Sequence, residues 1–236
     1  MSGELSREEI PVIYEDNHLL VVVKPVNMPT QEDESKDLDL LTALKQDLKT
    51  RHAKPGNVFL GLVHRLDRPV GGVMVFGKTS KASSRLSDAV RTRSFGKRYL
   101  AVVHGRPEPA AGSLTHYLLK DTRTNTVKTV AKNSHPDAKE AVLDYEVLAA
   151  GDGYSLVRIE LHTGRSHQIR VQMAAIGCPL YGDQKYGAER NKPGQQLSLW
   201  SVELSFEHPT LQKQVIFNST PPPSFPWSIW ETELLR

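Results

Sequence analysis

The chain has 236 residues, of which 39% are hydrophobic and 24% charged, with a formal net charge of +3. This is the balance of an ordinary globular protein and excludes a disordered chain, a collagen-like repeat or a coiled coil. No apolar run approaches the ~20 residues of a membrane span, and the opening MSGELSREEI carries no apolar signal region. One cysteine, Cys178, cannot form an intramolecular disulfide, so the expected setting is the reducing cytoplasm.

In chain order, Val12–Tyr14 and Leu19–Lys24 predict a hairpin turned by Glu15-Asp16-Asn17-His18, and Pro25 ends its second strand. The loop that follows is acidic over 32–39 (EDESKDLD). Leu38, Leu41, Leu44 and Leu48 recur at helical spacing and predict a helix over 38–50. Two apolar runs, Val58–Val63 and Val73–Phe76, predict strands on either side of HRLDRPVGG. A helix from Ser80 to Thr92 should carry a basic face. Lys78, Lys81, Arg85, Arg91, Arg93, Lys97 and Arg98 stand there against one acid, Asp88. That face reads as a phosphate-neutralising surface or as a solvated helix side.

Tyr99–His104 is the next predicted strand, and Leu114–Leu119 with 125–131 reads as a hairpin. Strands over 140–150 and 154–161 flank Gly151-Asp152-Gly153, a strong hairpin turn. Ile169, Met173 and Ile176 then mark a short helix closed by Gly177. Leu197–Phe206 and Val215–Phe217 complete the strands, and PPPSFPW is an extended tail that packs or frays. Many hairpin-connected strands with few helices give an α+β class and a largely antiparallel sheet. No interdomain linker shows. The expected organisation is a tail over 1–10 and one domain over 11–236.

Three segments carry candidate chemistry. Asp67 lies among apolar runs beside Arg65 and Arg68. A carboxylate kept ionised by arginine in a partly dry site suits nucleophilic or base chemistry at a sugar carbon. The same pattern also describes a structural Arg–Asp pair in a tight turn. Gly71 and Gly72 would permit a tight backbone turn or a close substrate. The run His162-Thr163-Gly164-Arg165-Ser166-His167-Gln168-Ile169-Arg170 enters a helix from a glycine loop, where backbone donors and guanidinium forks favour an anion. Its two histidines are spaced five apart without an acidic third ligand, so no metal site is expected. Lys97-Arg98-Tyr99 places an aromatic ring, able to stack on a base, beside basic residues. An ordinary strand tyrosine reads the same way.

Taken together, HRLDRPVGGVMVFGKTSKA (64–82), KRYLAVVHG (97–105) and LHTGRSHQIRVQMAAIGCPLYGDQKYG (161–187) resemble the RluA-type RNA pseudouridine synthases. The opening YEDNHLLVVVKPVNMPT (14–30) is similar to that family's first segment. The resemblance implies the pseudouridine synthase fold: a mixed, mostly antiparallel bent sheet with flanking helices and a central active-site cleft. It implies an isomerase that converts uridine in RNA to pseudouridine without metal, nucleotide or other cofactor. Asp67 then matches the catalytic aspartate, Tyr99 the base-stacking tyrosine and Arg170 the arginine that pairs with the aspartate. Arg65 resembles the residue that enters the RNA stack where the base has left. Arg165, His167 and Gln168 match the motif and are expected to contact phosphate or support the site. Leu66, Val63 and Ile169 are expected walls.

The sequence departs from the family in two places. Val70-Gly71-Gly72 stands where Thr-Ser-Gly is usual, and Gln172 stands where histidine is common. No accessory RNA-binding domain is expected before residue 10, so the catalytic domain itself should recognise a structured rRNA or tRNA, as a monomer and without a membrane. A non-catalytic RNA-binding or RNA-folding protein on the same scaffold is the main alternative. A hydrolase is a weaker one, since it would want a second catalytic carboxylate.

Overall fold

The structure is a computed structural model and describes residues 10–53 and 55–234. Most of the tail expected over 1–10 lies outside them. In chain order the elements are β1 (Val12–Glu15), β2 (Leu19–Lys24), α1 (Leu40–Arg51), β3 (Gly61–Leu62), β4 (Gly71–Gly77), α2 (Ser80–Arg91) and β5 (Gly96–His104). There follow β6 (Ala111–Asp121), β7 (Thr126–Val130), β8 (Lys139–Gly151), β9 (Tyr154–Leu161), α3 (Gln168–Ala175), β10 (Leu199–Glu207), β11 (Gln214–Asn218) and α4 (Glu231–Leu234). They form two compact units, each discontinuous in sequence. The first holds residues up to Phe95 and Ser201–Ser219, the second Gly96–Trp200 and the residues from Thr220 on. The chain leaves the first unit and returns to it, which is why no linker is legible.

In the first unit β2 pairs antiparallel with β1 on one side and β4 on the other, and β3 pairs with the end of β4. Every residue of β4 is buried and all but one of β2. These strands therefore read as continuous apolar runs rather than alternating ones. Leu19, Val21, Val73 and Val75 pack with Leu86 of α2, Phe95, Leu204 and Phe206. The Phe95 and Phe206 rings stack with centroids 4.9 Å apart. Each helix here has a side-chain cap. Asp39 accepts from the Thr42 N–H at 3.0 Å, and Thr79 accepts from Ala82 at 3.1 Å.

Only Gly61–Leu62 of the run Val58–Val63 is strand. The residues after it are drawn into the loop that carries Asp67. The basic helix face is also smaller than expected. Lys78 is held by Glu15 at 2.7 Å, Arg85 donates to the Pro209 carbonyl, and Arg91 meets Asp88 at 3.1 Å. Glu15 also takes Arg51 at 2.9 Å. Although burial works against it, this cluster of cations pulls the Glu15 carboxyl down to about 2.

In the second unit five antiparallel strands run in the order β5-β9-β8-β6-β7. Asp152 and Gly153, both at positive φ (54° and 80°), turn β8 into β9 as the sequence predicts. Leu118, Val127 and Ala141 pack on Val171 of α3. The C-terminal tail packs rather than frays, with Trp227 and Trp230 buried in a short 3-10 turn before α4. Among the described residues no helix is long and apolar enough to cross a membrane.

Gly72 has a structural explanation. Its φ is +119°, and a Cβ there would lie 2.3 Å from the Ser201 carbonyl oxygen and 2.5 Å from its nitrogen. The close approach is of β10 backbone to β4, not of a substrate. Gly72→Ala is therefore expected to destabilise the protein by roughly 2 kcal/mol or more, through both strain and overlap. The urea unfolding midpoint measures this, and an unchanged midpoint would refute the explanation.

Candidate active site

Asp67 sits half-buried at the first position of a tight turn, where the Val70 N–H donates to the Asp67 carbonyl at 2.9 Å. Three side chains hold this stretch. Thr30 Oγ1 donates to the Leu66 carbonyl at 2.8 Å, and His64 Nε2 accepts from the Val75 N–H at 3.2 Å. The third is Lys24, which sequence reasoning did not single out. Its ammonium donates to the carbonyls of Pro25 at 2.8 Å, Arg68 at 3.0 Å and Val70 at 2.7 Å. All three of its protons are thus used to tie the end of β2 to the Asp67 turn.

Lys24 is fully buried. Burial pushes its ammonium down to about 7, with the nearby Asp67 charge pulling the other way. Arg68 is directed to the acidic loop, where it meets Asp37 and donates to Ser35 at 2.9 Å. The acidic stretch therefore clasps the arginine beside Asp67. Arg65, in the same unit, is exposed, and Leu66 is buried beneath the loop.

Tyr99, on β5 opposite Ile159, is buried. In the same unit the loop 162–167 is braced from within. Gln168 Oε1 accepts from Thr163 Oγ1 at 2.8 Å and from the Arg165 N–H at 3.0 Å, and its Nε2 donates to the Val142 carbonyl at 3.0 Å. Arg165 Nε donates to the Glu140 carbonyl at 2.9 Å, leaving the side chain exposed. His167 precedes α3 in the left-handed region, and its Nδ1 lies 2.6 Å from the Tyr186 hydroxyl.

Arg170 is buried on α3 and grips Asp183 through two bonds of 2.8 Å, Nε to Oδ2 and Nη2 to Oδ1. Its guanidinium also lies over the Tyr186 ring, 5.2 Å from the centroid. Burial would raise the Asp183 carboxyl, yet Arg170 and the Lys185 and Tyr186 N–H groups hold it below the usual range. Asp183 and Tyr186 lie in GDQKYG, inside the segment that carries the family resemblance, but their pairing with Arg170 has no signature in spacing. Gln172 donates from Nε2 to the carbonyls of Leu114 and Ala141, at 3.1 and 3.2 Å. The same nitrogen lies 3.0 Å from His116 Nδ1. Among the described residues no three His, Cys, Asp or Glu side chains converge as a metal site.

Comparison with known proteins decides the family. The sequence profile described as RNA pseudouridylate synthase matches residues 18–175, a stretch that contains Lys24, Asp67, Tyr99 and Arg170. The chain belongs to this family. It is thus an isomerase acting on uridine in RNA. It is 34% identical to the uncharacterized RNA pseudouridine synthase YjbO of Bacillus subtilis over 94% of this chain and 77% of that protein. It is 32% identical to the dual-specificity RNA pseudouridine synthase RluA of Escherichia coli over 88% and 91% respectively. In fold it is similar to human RNA Pseudouridylate Synthase Domain Containing 4, with a TM-score of 0.78 at 24% identity over 95% of this chain and 93% of that one. The α+β, mostly antiparallel class expected from the sequence is thereby established.

Two predictions follow from the buried charges. Lys24 binds its proton more weakly folded than unfolded, so the unfolded chain holds more protons above pH 7 and stability rises with pH there. The urea midpoint of this synthase should climb between pH 7 and 8.5, below the titration of the tyrosines. The climb should be smaller in Lys24→Met, and an equal climb would refute the assignment. Asp183→Ala, which strands a buried guanidinium, should cost about 3–5 kcal/mol. Thermal unfolding near the wild-type temperature would show that Arg170 does not depend on it.

Proposed function

We propose that this synthase isomerises specific uridines of structured rRNA or tRNA, with Asp67 acting at the ribose of a flipped-out uridine. The observation that carries the reading is Asp67 itself: a half-buried carboxylate on a turn fastened by Thr30, His64 and Lys24, within the segment matched by the family profile. A carboxylate so fixed is placed to act at a sugar carbon. A relative named as a ribosomal large subunit pseudouridine synthase supports a ribosomal RNA as substrate.

The target base leaves its stack, and Arg65 fills the space left behind. Asp67 attacks C1′ or takes a proton from C2′, and the C1′–N1 bond breaks. The retained base turns and C5 bonds to C1′, expelling the Asp67 carboxylate in the first route or, in the second, with Asp67 returning the proton to C2′. The C5 proton is removed with help from Tyr99, and N1 takes up a proton, so nothing is consumed and no cofactor enters. Arg170, oriented within its own unit by Asp183, takes the role that the family resemblance gives to the arginine serving the catalytic aspartate. Arg165 and His167 contact phosphate or brace the loop. The enzyme works as one catalytic domain, as a monomer, in the cytoplasm.

Transcripts of rRNA fragments and tRNAs with tritium at uridine C5 test this. Wild type should release tritium from at least one RNA class. Asp67→Asn should release none while RNA affinity stays near wild type. No release by wild type from any transcript would overturn the reading, and release by Asp67→Asn would overturn the role of Asp67.

A further inference from the structure

Lys97 is the one residue of the Lys97-Arg98-Tyr99 segment that neither the fold nor the proposed reaction uses. It lies on β5 two residues before Tyr99, and the burial pattern of β5 puts Lys97 and Tyr99 on one face with Arg98 on the other. Lys97 is 8% exposed. Among the described residues nothing accepts a hydrogen bond from its ammonium, and no carboxylate pairs with it; burial alone pushes its proton affinity down. A cation this far withdrawn from water is ordinarily paired; the Lys97 ammonium keeps a small solvent-facing side, open to a partner from outside.

Its Nζ lies close to the loop before α3. A Cβ added to Gly164 would lie 3.2 Å from it, the only heavy atom within 4 Å. Gly164 belongs to the loop before α3, and the backbone N–H groups of Gly164 and Ser166 find no acceptor among the described residues. Arg165 stands exposed between them. The loop thus presents N–H donors, the start of a helix and a buried ammonium together. Each of these favours an anion. Glycine at 164 leaves open the space in front of the ammonium.

We propose that Lys97 and the Gly164–Ser166 backbone bind a phosphate of the RNA chain beside the target uridine. This rests on the reading that the uridine base stacks on Tyr99. From Tyr99 to Lys97 is a step of roughly 7 Å along the strand, comparable to the span from a nucleobase to its own phosphate. Lys97 thereby fixes the nucleotide by its backbone while Tyr99 holds its base. The anion restores the missing partner of the ammonium, so the binding energy of a non-reacting group positions the reacting one.

The test uses the full chain and three readouts. Inorganic phosphate is titrated into ¹⁵N-labelled wild type, and the Gly164 and Ser166 amide resonances should shift saturably. The shifts should vanish in Lys97→Met, which keeps the length of the side chain and removes its charge. The melting temperature of that variant should hold or rise, because an uncompensated buried charge has gone. Binding of a uridine pentanucleotide, whose bases need no unpairing, should lose about 0.7 from the slope of log affinity against log salt. Wild-type amides that do not respond to phosphate would overturn the proposal, and so would equal shifts in Lys97→Met. Phosphate shifts with an unchanged salt slope would show a free-anion site and overturn the RNA assignment. A fall in melting temperature with the phosphate shifts intact would make Lys97 a structural brace. Lys97→Gln serves if Lys97→Met does not fold. None of these readouts depends on tritium release, so failure of the catalytic reading is seen separately.

Discussion

The Lys24 ammonium, fully buried, donates all three of its protons to main-chain carbonyls, and the turn that bears Asp67 takes its shape from that arrangement. A buried cation must be compensated where it stands. Lys24 is compensated by these carbonyls, with the Asp67 charge nearby favouring its proton. Arg68, next in sequence, is engaged instead by Asp37 and Ser35.

The second unit solves the same problem with different chemistry. Arg170 is buried on α3, and its bidentate bond to Asp183 with the Tyr186 ring below fixes both its charge and its plane. Asp183 in turn is held by backbone N–H groups of the turn that follows it. Gln168, Thr163 and Val142 hold the preceding loop. Lys97 differs from both: among the described residues it has no counter-charge, and the proposal above assigns that place to an RNA phosphate.

The segments that carry the candidate site were legible in the sequence. Asp67, Tyr99 and Arg170 stand in long motifs in a fixed order, and the segments that carry them fold as turn, strand and helix as expected. The class of fold was legible because hairpin turns such as Asp152-Gly153 and capped helices such as α1 and α2 are local devices. Lys24, Asp183 and Tyr186 were not singled out. Lysine at the end of an apolar strand ordinarily reaches solvent, and only the approach of residues 68–70 shows that this one cannot. For the same reason a count of charges along the basic segment does not show that Lys78, Arg85 and Arg91 find partners within the protein.

The sequence by itself determined the order of strands and helices, the α+β class and the motif residues, because these rest on short-range periodicity, turn chemistry and local residue patterns. Only the tertiary structure decided how each charge is compensated. It showed Gly72 yielding to the Ser201 backbone, Arg170 paired with a residue thirteen positions on, and Lys97 buried without a partner among the described residues. Compensation depends on which distant groups approach within a hydrogen bond's length and how much water they exclude. No local pattern in a chain encodes that distance.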